Sequence, residues 1–202
     1  MIRVLILLLC LAAPAQATQD QWPALFDVSG VAADDVLNIR AGPSADSEIV
    51  GTLAHDARGV EIVRPNDRHT WGMVNTGEGT GWVSLAYVTR GPGQWYGAEI
   101  TRAFCSGTEP FWSFDIDGTS AAWSTPETTA TGQVLDRAFS MSRRDEQGAT
   151  FRLNDGEDGV ALLRLASCND GMSDREFGIA VSIVKGGTEG PTLYSGCCSL
   201  SP

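Results

Sequence analysis

Lysine is almost missing from this chain. Lys185 is the single one among 202 residues, and the remaining basic side chains are scattered arginines. Affinity for nucleic acid rests on clustered Lys and Arg, so that class of partner is excluded as an expectation. There are only two histidines, His55 and His69, and none after residue 69. The second half of the chain therefore has no imidazole to serve as a general base, and acid–base chemistry there would fall to carboxylates. No G-x-S-x-G elbow occurs, and a Cys–His dyad would have to join distant parts of the chain. No C-x-x-C pair occurs and neither histidine neighbours a cysteine, which speaks against structural zinc. Beyond the N-terminus no segment approaches the roughly 20 apolar residues of a membrane span. Long stretches of 3.6-residue periodicity are also lacking; Gln133 to Met141 is too short to stand alone as a helix.

The N-terminus has the make-up of an export signal. Arg3 is followed by an apolar run from Val4 to Ala13, and Ala15-Gln16-Ala17 has the small-x-small form of a cleavage site. Residues 1–17 are read as a signal peptide, with Thr18 starting a periplasmic or secreted chain. Cys10 follows Leu9, whereas a lipidated cysteine follows a small residue, so a lipid anchor is not expected. Removing Arg3 leaves 13 basic against 25 acidic side chains, a net charge of −12. Such acidity favours solubility and weak adhesion to anionic surfaces.

Four cysteines remain, Cys105, Cys168, Cys197 and Cys198, and an even count in an exported chain points to disulfides. Neighbouring side chains on a strand face opposite ways, so Cys197 and Cys198 would serve two separate bridges, to Cys105 and Cys168, rather than one vicinal bond.

After residue 20 the pattern is one of short strands and turns, rich in Gly with β-branched and aromatic runs of four to eight residues, and the fold class expected is all-β. Residues 24–90 form a first block, 91–98 a connecting segment announced by Arg90-Gly91-Pro92-Gly93 at the boundary, and 99–202 a second block. In the second, strands are expected at Phe111–Ile116, Ala121–Trp123, Ala138–Ser142, Thr150–Leu153, Val160–Ala166, Phe177–Val184 and Thr192–Ser195, enough for a closed or nearly closed antiparallel barrel. Asn154-Asp155-Gly156-Glu157-Asp158-Gly159 superficially resembles a calcium loop. Its third and twelfth positions, Gly156 and Leu165, carry no carboxylate, and the segment is read as a hairpin turn.

The first block carries Leu37-Asn38-Ile39-Arg40-Ala41-Gly42-Pro43-Ser44, Ile49-Val50-Gly51-Thr52-Leu53, Trp71-Gly72-Met73-Val74 and Gly81-Trp82-Val83-Ser84-Leu85-Ala86-Tyr87-Val88 in order. It resembles the bacterial SH3-like family over about a third of the chain. The resemblance implies a small β-barrel without catalytic machinery, used for recognition, with peptidoglycan or a protein partner as ligand. His55-Asp56 stands where the family often has Lys-Gly, so no contact through that lysine is carried over. The second block carries Cys105-Ser106-Gly107-Thr108-Glu109-Pro110-Phe111-Trp112, Cys168-Asn169-Asp170-Gly171-Met172-Ser173-Asp174-Arg175 and Gly196-Cys197. It resembles a domain of bacterial envelope proteins and lipoproteins, which implies an exported β-barrel domain without naming a reaction or ligand.

Candidate binding residues are Arg40, Trp71, Trp82 and Tyr87 in the first block and Glu109, Trp112, Asp170, Asp174 and Arg175 in the second. Aromatics beside polar groups suit sugar or peptide recognition. The function expected is that of a non-enzymatic envelope protein without metal or cofactor, recognising peptidoglycan or an envelope protein. Two alternatives are a barrel that inhibits a secreted hydrolase and a cell-wall hydrolase working through carboxylates.

Overall fold

A computed structural model describes residues 20–187 and 190–200. The leader expected at residues 1–17, with its cleavage site and Cys10, lies outside the described residues. The fold is all-β. The first block contains β1 (Ala24–Val28), β2 (Val36–Arg40), β3 (Ile49–Ala54), β4 (Val60–Ile62), β5 (Arg64–Pro65), β6 (Trp71–Thr76), β7 (Gly79–Ser84) and β8 (Val88–Arg90). The second contains β9 (Arg102–Thr108), β10 (Phe111–Asp117), β11 (Ser120–Ser124), β12 (Thr129–Phe139), β13 (Glu146–Leu153), β14 (Asp158–Cys168), β15 (Phe177–Lys185) and β16 (Thr192–Ser199). Among the described residues no helix is long and apolar enough to cross a membrane.

In the first block a three-stranded sheet, β4-β1-β8, lies beside a five-stranded one, β3-β2-β7-β6-β5. Period-2 alternation points Ala24, Phe26 and Val28 of β1 toward Leu37 and Ile39 of β2, with Ile62, Val74 and Val83 completing one small core. Gly81 lets β7 pass close to Ile39, since a Cβ there would lie 2.3 Å from a methyl of that side chain.

The second block closes into an eight-stranded antiparallel barrel in which β9 meets both β10 and β16. Its interior is filled by Phe114, Phe151, Ile116, Ile179, Ile183 and a stack of Trp112 on Trp123 with ring centroids 5.2 Å apart. A small barrel filled in this way has a packed centre, not a channel. One end is capped by Lys185, which is ion-paired with Glu157 and lies 5.2 Å from the centre of the Trp123 ring. Burial pushes the Lys185 pKa down, with the Asp155 carboxylate pulling the other way.

Closure of the barrel explains the disulfides. Cys198 of β16 stands directly opposite Cys105 of β9, both inside, and these two are bonded. Cys197 faces outward and bonds Cys168 at the end of β14. The two adjacent cysteines thus serve separate bridges on opposite faces of one strand, as alternation requires.

Two strands depart from the sequence expectation. Instead of beginning at Ala138, β12 runs from Thr129 to Phe139, and a bulge between Val134 and Asp136 breaks its alternation. β9, not foreseen as a strand, closes the barrel. The Asn154–Gly159 segment holds the turn of the β13–β14 hairpin, residues 154–157 with Gly156 at φ 95°, and the first two residues of β14.

Residues 91–98 are pinned rather than free. Gly91 N–H donates to the Leu25 carbonyl, Arg90 donates to the Gln21 and Gln94 carbonyls, Gly97 N–H donates to the Gln21 side chain, and Ala98 is buried. Leu25, on the outer face of β1, packs against the barrel's hydrophobic cluster. Across the junction Asn75 and Glu176 exchange two hydrogen bonds of 2.9 and 3.1 Å, Arg64 pairs with Glu176 at 3.0 Å, and Leu200 N–H donates to Glu61. The two blocks form one packed body.

Candidate functional site

One face of the five-stranded sheet builds the first candidate site. Met73 pairs with Trp82 and Trp82 with Arg40, while Trp71 lies two residues from Met73, so Trp71, Trp82 and Arg40 share a face. Toward the β6–β7 turn this face is covered by the second block through Asn75 and Arg64. Toward the other end it opens into a groove of about 490 Å³ that includes Arg40, Trp71 and Tyr87, with Asp35, Val31 and Ala45 on its rim. Tyr87 is 46 % exposed. Arg40 is oriented by a 2.7 Å hydrogen bond from Nη1 to the Ser47 carbonyl, in the turn that follows β2.

Three of the four residues expected from the first block are thus brought together. The fourth, Trp82, lies outside the groove with the Arg64 guanidinium 5.3 Å from its ring centre. Asp35, Val31 and Ala45 were not singled out from the sequence, because loop residues acquire their neighbours only through folding. The groove offers one cation, one carboxylate and two aromatic walls, a combination suited to a short peptide or an amide-bearing polymer.

The residues expected from the second block are dispersed. Trp112 and Asp170 line a second groove, of about 510 Å³, on the outer wall and rim of the barrel, with Glu78 of the β6–β7 turn at its border. Glu109 is exposed and does not line it, nor do Asp174 and Arg175. Asp170 accepts hydrogen bonds from the Met172 and Ser173 N–H groups and the Ser173 hydroxyl; burial alone would raise its pKa, but these bonds together with Arg175 hold it below the usual carboxylate range. This is a turn built around an Asp side chain. Asp174 N–H donates to the Glu78 carbonyl and so ties the same loop to the first block. Arg175 lies over Phe177, 5.4 Å from its ring centre.

Alternation could have identified an aromatic of the second groove. With Trp112, Phe114 and Ile116 facing inward, Phe111 must face outward, and it is 55 % exposed. Neither histidine lines either of these two grooves: His55 lies 3.9 Å from Asp56, and His69 occupies the left-handed region at φ 53° in the turn before β6. Among the described residues no group of three His, Cys, Asp or Glu side chains is placed to hold a metal ion. No protein-family model, curated protein or solved structure matches the chain.

Proposed function

We propose that this is an exported, non-enzymatic recognition protein of the cell envelope, whose SH3-like first block holds a peptide-bearing wall polymer such as peptidoglycan, or an envelope protein, in the groove at Arg40, Trp71 and Tyr87. One observation carries the reading: residues 40, 71 and 87, selected from separate motifs, line a single open groove. Arg40 supplies charge for a carboxylate of the ligand, and the two aromatics supply apolar surface beside it. The filled barrel interior supports a scaffold role for the second block. Two disulfides support export to an oxidising compartment.

Co-sedimentation of the disulfide-bonded protein with insoluble cell wall, beside capture of soluble envelope proteins, tests the reading. Retention by either fraction should be lost in Tyr87→Ala combined with Trp71→Ala. Retention unchanged by that pair would move the ligand elsewhere.

A further inference from the structure

We propose that the Cys168–Cys197 bridge is a redox-sensitive fastener, whose reduction by a dithiol releases a strap that holds the first block against the barrel. The strap is the segment 169–176 between β14 and β15. On the barrel side it is held by the bridge from Cys168 to Cys197 of β16 and by a 3.3 Å hydrogen bond from the Thr108 hydroxyl to the Asp170 carbonyl. On the other side Asp174 N–H donates to the Glu78 carbonyl, Asn75 and Glu176 exchange two hydrogen bonds, and Arg64 pairs with Glu176. Among the described residues, every hydrogen bond and ion pair from β5 and the β6–β7 hairpin to the second block ends on this strap. The hydrogen bonds that Asp170 accepts from Met172 and Ser173 close a turn within the strap and attach it to nothing else.

Of the two bridges, one is open to attack. Cys105 and Cys198 are 2 % and 0 % exposed and face the barrel interior behind the paired strands β9 and β16. Cys197 is buried but faces outward, and its partner Cys168 is half-buried at the rim, where β14 gives way to the strap. The β14–β15 register is irregular between Leu165 and Cys168, so the ladder beside that sulfur is already interrupted. A thiolate of the dithiol attacks Cys168 Sγ, forming a mixed disulfide, and Cys197 leaves as a thiolate and takes up a proton. The second thiol of the reductant then displaces Cys168 as a thiol. Two electrons and two protons have passed to the pair of cysteines, and the dithiol ends as a disulfide.

Reduction at this point separates two functions of the bridges. The Cys105–Cys198 bond still spans the barrel seam between β9 and β16. The strap keeps the single Thr108 hydrogen bond as its side attachment to the barrel. Its contacts with the first block are polar and exposed or half-buried, each worth little by itself. They hold because the strap is ordered in advance, and an unfastened strap would have to be ordered at their expense. The fastener works whether or not the Arg40–Trp71–Tyr87 groove binds a wall polymer.

The test treats the disulfide-bonded protein with graded dithiothreitol and traps free thiols with iodoacetamide. Mass spectrometry should find a species alkylated at Cys168 and Cys197 with the Cys105–Cys198 bridge intact. Hydrogen exchange on that species should run about tenfold faster at the amides of Asp174 and Glu176, with β9, β10 and β16 up to Gly196 as protected as before. Cys168→Ser combined with Cys197→Ser should show the same exchange pattern without reductant. Reoxidation of the untrapped protein should restore protection of the strap. Opening of the inner bridge first, or of both together, would overturn the proposal. So would strap amides that stay protected after selective reduction, or a loss of protection that spreads through the barrel.

Discussion

The two blocks solve the same problem, burying one face of each strand, with different closure. The first uses two sheets around a core of eight buried side chains, among which Phe26 is the only aromatic. The second closes on itself and buries eighteen among the described residues, including Phe114, Phe151, Trp112 and Trp123, with an internal disulfide across its seam. Closure removes free edges, which the sheets of the first block retain. The larger core lets the barrel act as the rigid partner on which the first block rests, through Leu25, Asn75 and Arg64.

The contrast in core size yields the largest expected effect. Phe151→Ala removes a fully buried ring in contact with Phe114 and should cost about 3–5 kcal/mol, while Phe26→Ala, the matched deletion in the smaller first core, should fall at or below the low end of that range. Denaturant unfolding of both variants measures the pair, and equal losses would dissolve the contrast. Replacing Cys105 and Cys198 together by Ser should cost about 2–4 kcal/mol, roughly 1 kcal/mol more than replacing Cys168 and Cys197, because the first bridge spans 93 residues and the second 29. Thermal unfolding of the two double variants compares them directly.

The junction is tested by Gly178→Ala. The added Cβ would come within 2.5 Å of Pro23, so the loss should be about 1–3 kcal/mol. If the blocks unfold as one body, calorimetry shows a single transition that moves to lower temperature. A split into two transitions would show that they are coupled only weakly.

The smallest effect concerns Asp115 on the barrel wall, whose pKa burial raises. The unfolded chain ionises at the ordinary carboxylate value while the folded chain still holds its proton. Stability is therefore lost as pH rises between the ordinary and the raised value, and stays lost above it. Asp115→Asn should stabilise the protein slightly at neutral pH and leave it unchanged in acid below the ordinary carboxylate range. Urea midpoints at the two pH values check the sign.

Strands with clean alternation were legible in sequence, as Phe111–Ile116 and Phe177–Val184 show by lying within β10 and β15. β12 was not, because the bulge after Val134 sets Leu135, 53 % exposed, against the alternation and its polar residues mask the rest. β9 was hidden by small residues: Ala103, Cys105 and Gly107 are its inward positions, and in sequence they look like a motif in a turn. Among the candidate binding residues, the type was legible and the grouping was not. Trp112 and Phe111 are neighbours in one motif, but one is core and the other surface.

Composition and local pattern by themselves determined the all-β class and the division of Cys197 and Cys198 between two bridges, since these depend on alternation and turn chemistry within a few residues. Only the tertiary structure decided that Cys198 takes Cys105, that Asn75 meets Glu176, and that Arg40, Trp71 and Tyr87 share a groove while Trp82 does not. Each of these is a contact between distant positions. Distant contacts follow from which strand pairs with which when the barrel closes and the sheets pack, and no local pattern contains that pairing.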